Sequence, residues 1–405
     1  MNPFYALTGT IFFLYGIIFL WVGAQCAKIL KHKKTSNFPL RLNEKDINPE
    51  LKEKRFSVII PFRNEAQNLS ELLDSLNRLN FSKNRFEVLF VDDHSEDDGF
   101  NILAKFKQNA QFSMRIITLE KPEEYGKKQA LTQGIKQSKY PWIVTLDADS
   151  IAPQNWLLSI DKILHETSAV FVTGPVFLRQ KKGLLFQLQA SEFMALQALT
   201  LASFNLRPLL SNGTNLVYSK SIFQQVSGFS GNHNISSGDD MFLMRKIWHQ
   251  KKWSLAYNAD WAGAVGTKAS NSWSTFAAQQ LRWMSKTSAL NDPLLSSVAL
   301  IVFFTNFALV IWFFISLSFA TNNHPLAAQA LLFTALIFMA KFSIDHMSLW
   351  MSYAQIKETP EWSPSKINWP LQVLAAVIYP FWTLGLTLIS LIYRPRWKGR
   401  KIQIK

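Results

Sequence analysis

The chain has 405 residues, a formal net charge of +15, 32 Phe, 14 Trp and one cysteine. This length allows two or three domains. The aromatic composition, with apolar blocks near both ends, indicates a membrane protein with a soluble centre. A single cysteine, Cys26, excludes an internal disulfide. Lysines and arginines flank the apolar runs, which favours membrane anchoring over nucleic-acid binding.

The first apolar segment covers residues 5–25, which carry no charge. It is long enough to cross about 30 Å of hydrocarbon. Four lysines follow it at once, whereas a cleaved signal peptide has its positive charge ahead of the apolar run. We therefore predict a retained transmembrane anchor over residues 1–27, with its N-terminus outside, and a basic linker over residues 28–55.

Residues 56–290 are predicted to form a cytoplasmic α/β domain. Short apolar runs (FSVIIP, EVLFVDD, MRIITL and PWIVTLDAD) alternate with polar segments that suit helices. This alternation is typical of a mostly parallel sheet covered on both faces, whose ligands bind at the carboxyl ends of the strands. Within this domain, residues 183–204 are apolar all round and form either a helix on the bilayer surface or an ordinary buried helix.

Residues 291–393 are predicted to contain two or three membrane segments. Residues 294–320 form a clear one, and residues 326–350 and 370–393 form two weaker ones. The basic tail, residues 394–405, is predicted to stay cytoplasmic. Three crossings would place that tail outside, so we predict that one of the weaker segments is re-entrant or lies in the membrane interface.

The two weaker segments differ in what interrupts them. One contains Lys341, Asp345 and His346, and the other contains Pro380. Lys341 and Asp345 are four residues apart and share one helical face, so we predict that they neutralise each other in the membrane.

Three acidic pairs stand where the predicted sheet places a site: Asp92 and Asp93, Asp147 and Asp149, and Asp239 and Asp240. Helix capping is the alternative explanation for the first and third pairs. The D-x-D pair differs, because strand alternation is expected to place both acids on one face. Two neighbouring carboxylates repel each other unless a cation lies between them. Such oxygen ligands suit Mg²⁺ or Mn²⁺, which commonly bind substrate phosphates. The pair therefore predicts a metal that holds a diphosphate.

Other segments offer contacts for the rest of such a ligand. PFRNE, residues 61–65, ends the first predicted strand, and Lys127 and Lys128 open a predicted helix, where phosphate binding competes with simple solvation. Arg282 suits the charge of a leaving diphosphate. Trp283 offers either a face for sugar stacking or an interfacial anchor. The sequence contains no Walker A loop, H-E-x-x-H, G-x-S-x-G or Rossmann glycine fingerprint.

These motifs, in this order and with apolar segments on both sides, resemble the membrane-bound branch of the family 2 glycosyltransferases over roughly residues 56–286. The resemblance implies a GT-A fold and inverting transfer from a nucleotide-linked sugar, usually a UDP-sugar. It implies a nucleoside contact for Pro61, Arg63, Asn64 and Glu65, nucleotide binding for Asp93 with Asp92 beside it, metal binding for Asp147 and above all Asp149, an acceptor region at Gly213 and Asn215, a catalytic base in Asp240, and a Q-x-x-R-W motif in Gln279, Arg282 and Trp283.

The sequence GDDMFL departs from the family pattern, since Asp239 replaces the usual glutamate before the base. This change leaves the base in place but affects how an acceptor hydroxyl is oriented. The chemistry agrees with the assignments. Inversion needs one base, and a metal stabilises the departing diphosphate. A glycosidase would need two carboxylates, one of them protonated.

The acceptor is predicted from the tail. RWKGRKI resembles the W-x-G-R ending of ceramide, hopanoid and carotenoid glucosyltransferase relatives, which implies a single transfer to a lipid. A processive polysaccharide synthase is the alternative, and a non-enzymatic scaffold or transporter with cation-binding acidic clusters is a third. We thus predict a multi-pass enzyme of the cytoplasmic (inner) membrane with Mn²⁺ or Mg²⁺ as cofactor. Its expected partners are a nucleotide-sugar donor, a lipid or glycan acceptor and membrane lipids, with no nucleic acid.

Overall fold

The computed structural model describes residues 3–34, 54–119, 125–179, 181–231, 238–252, 254–356, 368–392, 396–397 and 400–401. The described chain begins with a long apolar helix, continues through an α/β domain and ends in three long apolar helices. The predicted α/β class is confirmed, as are the apolar helices at both ends. The tail beyond residue 401 and most of the basic linker lie outside the described residues.

The strands in chain order are β1 Phe56–Phe62, β2 Phe86–Asp92, β3 Ser113–Thr118, β4 Trp142–Thr145, β5 Phe171–Thr173, β6 Val176–Leu178, β7 Leu216–Ser219, β8 Leu255–Tyr257, β9 Val265–Thr267, β10 Arg396–Trp397 and β11 Arg400–Lys401. Seven of them form the central sheet in the order β3-β2-β1-β4-β7-β5-β8. All of its neighbouring strands are parallel except that β7 runs antiparallel to β4 and β5. β6 and β9 form a separate parallel pair.

The order of the strands determines where a ligand can bind. From β1 the chain moves outward through β2 and β3, and it then returns to place β4 on the other side of β1. A crevice opens at such a switch point beyond the carboxyl ends of the two central strands. The segments after β1 and β4, which contain Arg63 and Asp147, lie at this crevice.

The helices in chain order are α1 Pro3–Lys34, α2 Ala66–Asn77, α3 Gly99–Lys107, α4 Lys127–Gln137, α5 Trp156–Glu166, α6 Leu184–Ser203, α7 Lys220–Gln225, α8 Asp239–Gln250, α9 Trp273–Leu290, α10 Pro293–Thr321, α11 Ala327–Ile356 and α12 Trp369–Ser390. Alternate residues of β1 pack on opposite faces of the sheet. Val58 and Ile60 join a core with α2, α3 and α5, and Ile59 joins a second core with α4, α7 and α8. Burial on both faces explains why the strands read as continuous apolar runs.

Four helices are long and apolar enough to cross a membrane: Pro3–Ile29, Pro293–Thr321, Ala327–Met347 and Trp369–Ser390. Both of the weaker sequence segments thus form single helices. The position of α12 relative to the bilayer stays a prediction. α10 begins sharply, because Asp292 accepts hydrogen bonds from the N–H groups of Leu294 and Leu295 at 3.1 and 3.2 Å.

The predicted pair in α11 is present. Lys341 Nζ lies 2.5 Å from one oxygen of Asp345, and Tyr15 of α1 donates a hydrogen bond to the other oxygen. Helix α6 is buried among α1, α11, α12 and β6. Cys26 of α1, for example, packs beside Ala198 of α6. These contacts support the buried-helix alternative for the segment 183–204.

Candidate active site

A cavity of about 410 Å³ opens at the crevice between β1 and β4 and is closed on the other side by α6 and α9. Most of the predicted site residues line it: Pro61, Arg63, Glu65, Asp93, Lys127, Asp147, Asp149, Gly213, Asp239, Asp240, Gln279, Arg282 and Trp283. Asn64, Asp92, Lys128 and Asn215 do not line it. The cavity lies within the size range of small-molecule sites.

The D-x-D acids are held by the loop before β7. Strand β4 ends at Thr145, so Asp147 and Asp149 lie in the following turn. The expectation that strand alternation places both acids on one face is therefore wrong. Instead, the Thr214 hydroxyl accepts a hydrogen bond from Asp147 N at 3.0 Å and pairs with Ser150 Oγ at 2.8 Å. This pinned turn directs both carboxylates to the cavity.

Two cations face the D-x-D carboxylates. Lys127 donates a hydrogen bond from Nζ to Asp147. Burial acts to lower the pKa of Lys127, but Asp147, Asp239 and Asp240 together outweigh it and the pKa is raised. Burial lowers the pKa of the Arg282 guanidinium, and the charges of Asp147 and Asp149 act against this shift. The chain thus places a lysine and an arginine where a diphosphate would carry its charge.

Asp239 and Asp240 begin α8 after Gly238, whose φ of 89° turns the chain into the helix. Asp239 is 7% exposed, and its Oδ1 lies 3.4 Å from Lys128 Nζ. Asp240 is half-buried and faces Gly213, where a Cβ would lie 3.5 Å from Asp240 Oδ2. Both acids favour the helix N-terminus electrostatically, but only Asp240 combines that position with open access to the cavity.

The segment after β1 shapes the nucleoside end of the cavity. Asp93 accepts a hydrogen bond from Gly126 N at 3.0 Å, and burial raises the pKa of its carboxyl. Arg63 donates to the Asp93 carbonyl at 3.3 Å. Asp92 accepts from Ser95 N at 3.0 Å, which makes it a turn-forming residue. Asn64 likewise holds the turn, since its Oδ1 accepts from the N–H of residue 96 at 2.8 Å.

Asn215, predicted near the acceptor, is buried, and its side chain bonds to other parts of the domain. Only 2% of it is exposed. Its amide donates to the carbonyls of Pro175 and Gly263 at 2.9 and 3.0 Å, and its oxygen accepts from Trp156 Nε1 at 2.9 Å. These bonds join three distant segments of the domain below the cavity, so its position does not support an acceptor contact.

One wall of the cavity was missed by the sequence analysis. α6 contributes Phe193, Leu196, Gln197 and Thr200. Their spacing places them on one helical face, and Gln197 and Thr200, one turn apart on that face, are the signal that could have identified it. Phe193 also packs against Trp283, with ring centroids 6.3 Å apart. Tyr218 of β7, also missed, lies on the cavity floor.

The donor set fits a metal that is shared with a ligand. Among the described residues, no group of three or more His, Cys, Asp or Glu side chains is arranged to hold a metal ion. The D-x-D supplies two carboxylates at the cavity wall. Mg²⁺ characteristically takes one or two carboxylates and completes its shell with substrate phosphates and water. The residues present therefore suit a diphosphate-bound metal better than a closed protein cage.

Comparisons with known proteins agree with this geometry. Residues 57–227 match the family model described as Glycosyl transferase family 2. Poly-β-1,6-N-acetyl-D-glucosamine synthase of Staphylococcus aureus (strain COL) is 28% identical over 195 residues, which cover 48% of this chain and 43% of the relative. The synthase of the same name from Staphylococcus epidermidis is 28% identical over 141 residues, or 35% and 33% of the two chains. The chain thus spans less than half the length of these relatives.

A solved structure supports the fold. A mannosyltransferase from Pyrobaculum calidifontis, in complex with GDP-Man and Mn²⁺, superposes with a TM-score of 0.54 at 14% identity over 96% of this chain and 97% of that one. Residues 57–227 are therefore similar to the family 2 glycosyltransferases, and the chain has a GT-A-like α/β fold, in agreement with its motifs.

Proposed function

We propose that the protein is an inverting, metal-dependent glycosyltransferase that moves a sugar from a nucleotide diphosphate sugar, UDP-linked, to a lipid at the cytoplasmic face of the inner membrane. One observation carries this proposal. A single cavity gathers a candidate base, Asp240, the two D-x-D carboxylates and two cations at the carboxyl edge of the sheet.

The donor half of the cavity suits a nucleoside diphosphate. Pro61, Arg63 and Asp93 surround the space beyond β1, where the base and ribose would bind. Asp147 and Asp149 would hold Mn²⁺ or Mg²⁺, which would stabilise charge on the departing diphosphate. The chain's own Lys127 and Arg282 face the same region and oppose the same charge.

The transfer step needs one base on the acceptor side. The acceptor hydroxyl attacks the anomeric carbon from the face opposite the diphosphate, so a new C–O bond forms while the bond to the phosphate oxygen breaks. Asp240 takes the hydroxyl proton, and the nucleoside diphosphate leaves. The absence of a side chain at Gly213 allows the acceptor to approach Asp240 closely. Trp283 offers its ring to the sugar.

The composition of the acceptor wall supports a lipid. Apolar side chains of α6, α8 and the loop before β7 line the cavity: Phe193, Leu196, Leu210 and Met241. The opposite side of α6 packs against α1, α11 and α12. The acceptor half therefore lies next to the helices that are long enough to enter the membrane. A lipid could present its hydroxyl here with its chains in the bilayer.

The test is release of nucleoside diphosphate from a panel of nucleotide sugars by the full chain in mild detergent. Each donor is assayed with Mn²⁺, Mg²⁺ or EDTA, with and without membrane lipid, beside the Asp149→Asn variant. We expect release from one donor that requires metal, rises with lipid and is lost in the variant. A folded protein that neither binds nor cleaves any donor would contradict the proposal and favour a scaffold or transporter.

A processive polysaccharide synthase is the second candidate, because the synthases of the two Staphylococcus species match almost half and about a third of this chain. Product size separates the two candidates. A single glycosylated lipid supports the first, and a polymer that forms without added lipid supports the second.

A further inference from the structure

Helix α9 contacts the cavity with one face and α12 with another. The three residues of the Q-x-x-R-W motif face the cavity, whereas Trp273, Phe276 and Gln280 face α12. The ring of Trp382 in α12 lies 5.2 Å from that of Trp273, and it stacks on Phe276 at 5.4 Å with only 3° between the planes. The helix that carries the motif thus packs directly on α12, the last of the long apolar helices.

A buried chain of hydrogen bonds continues this contact to α6. Trp382 Nε1 donates to Gln280 Oε1 at 2.7 Å, and Gln280 Nε2 donates to Glu192 Oε2. Glu192 precedes Phe193, which lines the cavity and packs on Trp283. Three helices therefore meet at the side-chain amide of Gln280, which joins Trp382 of α12 to the Glu192 carboxyl of α6 behind the cavity wall.

The charge of Glu192 decides how stable this junction is. Burial raises the pKa of Glu192 to about 8, so the group is mostly an uncharged acid at neutral pH. Within the described part of the chain, no lysine, arginine or histidine forms an ion pair with Glu192. An ionised carboxylate here would lie half-buried between helices with no cation beside it, which is costly.

The titratable groups on the surrounding helices do not supply that cation. Tyr379 of α12 is close enough to interact electrostatically with Glu192. Lys341 and Asp345 of α11 pair with each other, and Tyr15 of α1 donates to Asp345. On α9, the charges that act on Arg282 are those of the D-x-D acids.

We propose that Glu192, in its uncharged form, is a positioning residue that fixes α9 between α6 and α12, and that its ionisation loosens α9 and slows sugar transfer. This inference rests on the proposed function. Glu192 does not line the cavity, so it acts through Gln280 and Phe193 on Arg282 and Trp283. A misplacement of about 1 Å in such a site can lower a rate about 10²-fold.

The rate of sugar transfer should depend on pH through the ionisation of Glu192. The kcat for transfer should fall about tenfold or more as Glu192 ionises above about pH 8, while the KM for the donor changes less than about twofold. Glu192→Gln preserves the acceptor for Gln280 and cannot ionise. Its kcat should equal that of the wild type at neutral pH and should not show the part of the fall above pH 8 that comes from Glu192. Glu192→Ala should have a low kcat at every pH.

The stability of the fold gives an independent readout. Because the pKa of Glu192 is higher in the folded than in the unfolded chain, its favourable contribution is complete below about pH 4.5 and is lost as pH rises through about 8. The Tm of the wild type in detergent should therefore fall relative to that of Glu192→Gln over this range. Trp382→Phe, which keeps an aromatic ring but loses the indole N–H donor, should lower kcat partially.

The control is Glu166→Gln, an exposed glutamate of α5 far from the cavity lining, which should behave as the wild type. Equal alkaline loss of kcat in the wild type and Glu192→Gln, or an unchanged kcat in Glu192→Ala, would overturn the inference. If the wild type transfers no sugar, the proposed function fails separately. The comparison of Tm values then still decides about Glu192, because equal pH dependence in the two proteins would refute its buried titration.

Discussion

Asp239 and Asp240 are neighbours in sequence with different surroundings. Asp239 is buried beside the Lys128 ammonium, which lies 3.4 Å away. Asp240 is half-buried and faces the cavity next to Gly213. A general base needs contact with the acceptor hydroxyl, so the greater exposure of Asp240 supports the proposal that it is the base, while Asp239 pairs with Lys128 at the start of α8.

Replacement of Asp240 tests this assignment. Asp240→Asn keeps the size of the side chain but removes the proton acceptor, so kcat should fall by about 10²- to 10⁴-fold. Binding of the nucleotide sugar, measured by calorimetry, should stay within about twofold of the wild type because the donor half is untouched. Asp98→Asn, at the exposed start of α3, is the matched control. Retained turnover in Asp240→Asn would refute its role as base.

Asn215 has the opposite character, because its contacts are all internal. Asn215→Ala removes two donors and one acceptor and takes their partner from the Gly263 carbonyl and Trp156 Nε1, whereas the Pro175 carbonyl still accepts from Val265 N at 3.0 Å. We expect a loss of about 3 kcal/mol in the free energy of unfolding, seen as a lower Tm. The exposed Asn101→Ala should be neutral. A variant with normal Tm and a raised KM for acceptor would instead restore the role predicted from the sequence.

The contrast between these residues shows what the sequence could reveal. Asp147 and Asp240 were identified because acids that follow a predicted strand or open a helix come together at one edge of a parallel sheet. The internal contacts of Asn215 were not predicted because its partners lie 40, 48 and 59 positions away along the chain. Glu192 was missed for the same reason, since Gln280 follows it by 88 positions. Local patterns contain no information about such contacts.

At the scale of elements, a polar clasp joins α2 to the ends of β6 and β9. Glu71 of α2 lies 2.7 Å from Arg179 and 3.5 Å from Lys268. The hydrogen bond from Arg179 is the main cause that lowers the pKa of Glu71 to about 2. Leu178 and Thr267, the neighbours of the two cations, line the cavity. The clasp therefore holds one edge of the site to the helix beyond β1.

This clasp should weaken in acid. Because the folded pKa of Glu71 is below its usual 4.5, its contribution is present above about pH 4.5 and is lost as pH falls toward about 2. Glu71 is 48% exposed, so solvent screening keeps the effect small. The difference in Tm between the wild type and Glu71→Gln should shrink from pH 5 to about pH 3. A difference that stays constant over this range would contradict the assignment.

The elements themselves were predicted unevenly. Long apolar runs identified β1, β2 and β4 and the helices at both ends, because burial on both faces or contact with lipid leaves a continuous signal. The antiparallel insertion of β7 between β4 and β5 was not predicted. Strands of three and four residues provide too little pattern to specify a neighbour, and their pairing depends on the fold around them.

At the scale of the whole molecule, α12 packs on α10 and on two helices of the α/β domain, α6 and α9. Along its length it packs on helices of the α/β domain. Gln372 donates to Ser191 of α6 at 2.5 Å, and Trp382 donates to Gln280 of α9 at 2.7 Å. These contacts are about 15 Å apart along the helix. We therefore expect α12 to lie at the membrane interface against the domain.

This position would reconcile the charge of the tail with the number of spans. With α1, α10 and α11 crossing the bilayer and α12 at the interface, the domain and the basic tail are on the same, cytoplasmic side. Single cysteines in a Cys26→Ala background test the arrangement with a membrane-impermeant maleimide. His324→Cys, in the exposed turn between α10 and α11, should react in intact cells. Lys107→Cys on the domain and Gln403→Cys in the tail should react only after permeabilisation.

Each site reports on a different part of the arrangement. Labelling of Gln403→Cys in intact cells would mean that α12 crosses the bilayer, and the contacts of Trp382 with α9 would then lie within the membrane. Labelling of Lys107→Cys in intact cells would mean that the whole molecule has the opposite orientation in the membrane. The cavity would then open away from the cytoplasm, where nucleotide sugars are made, and the proposed transfer would lose its donor. Protection of both Lys107→Cys and Gln403→Cys in intact cells would place the donor site, the tail and the contact between α9 and α12 on one side of the membrane.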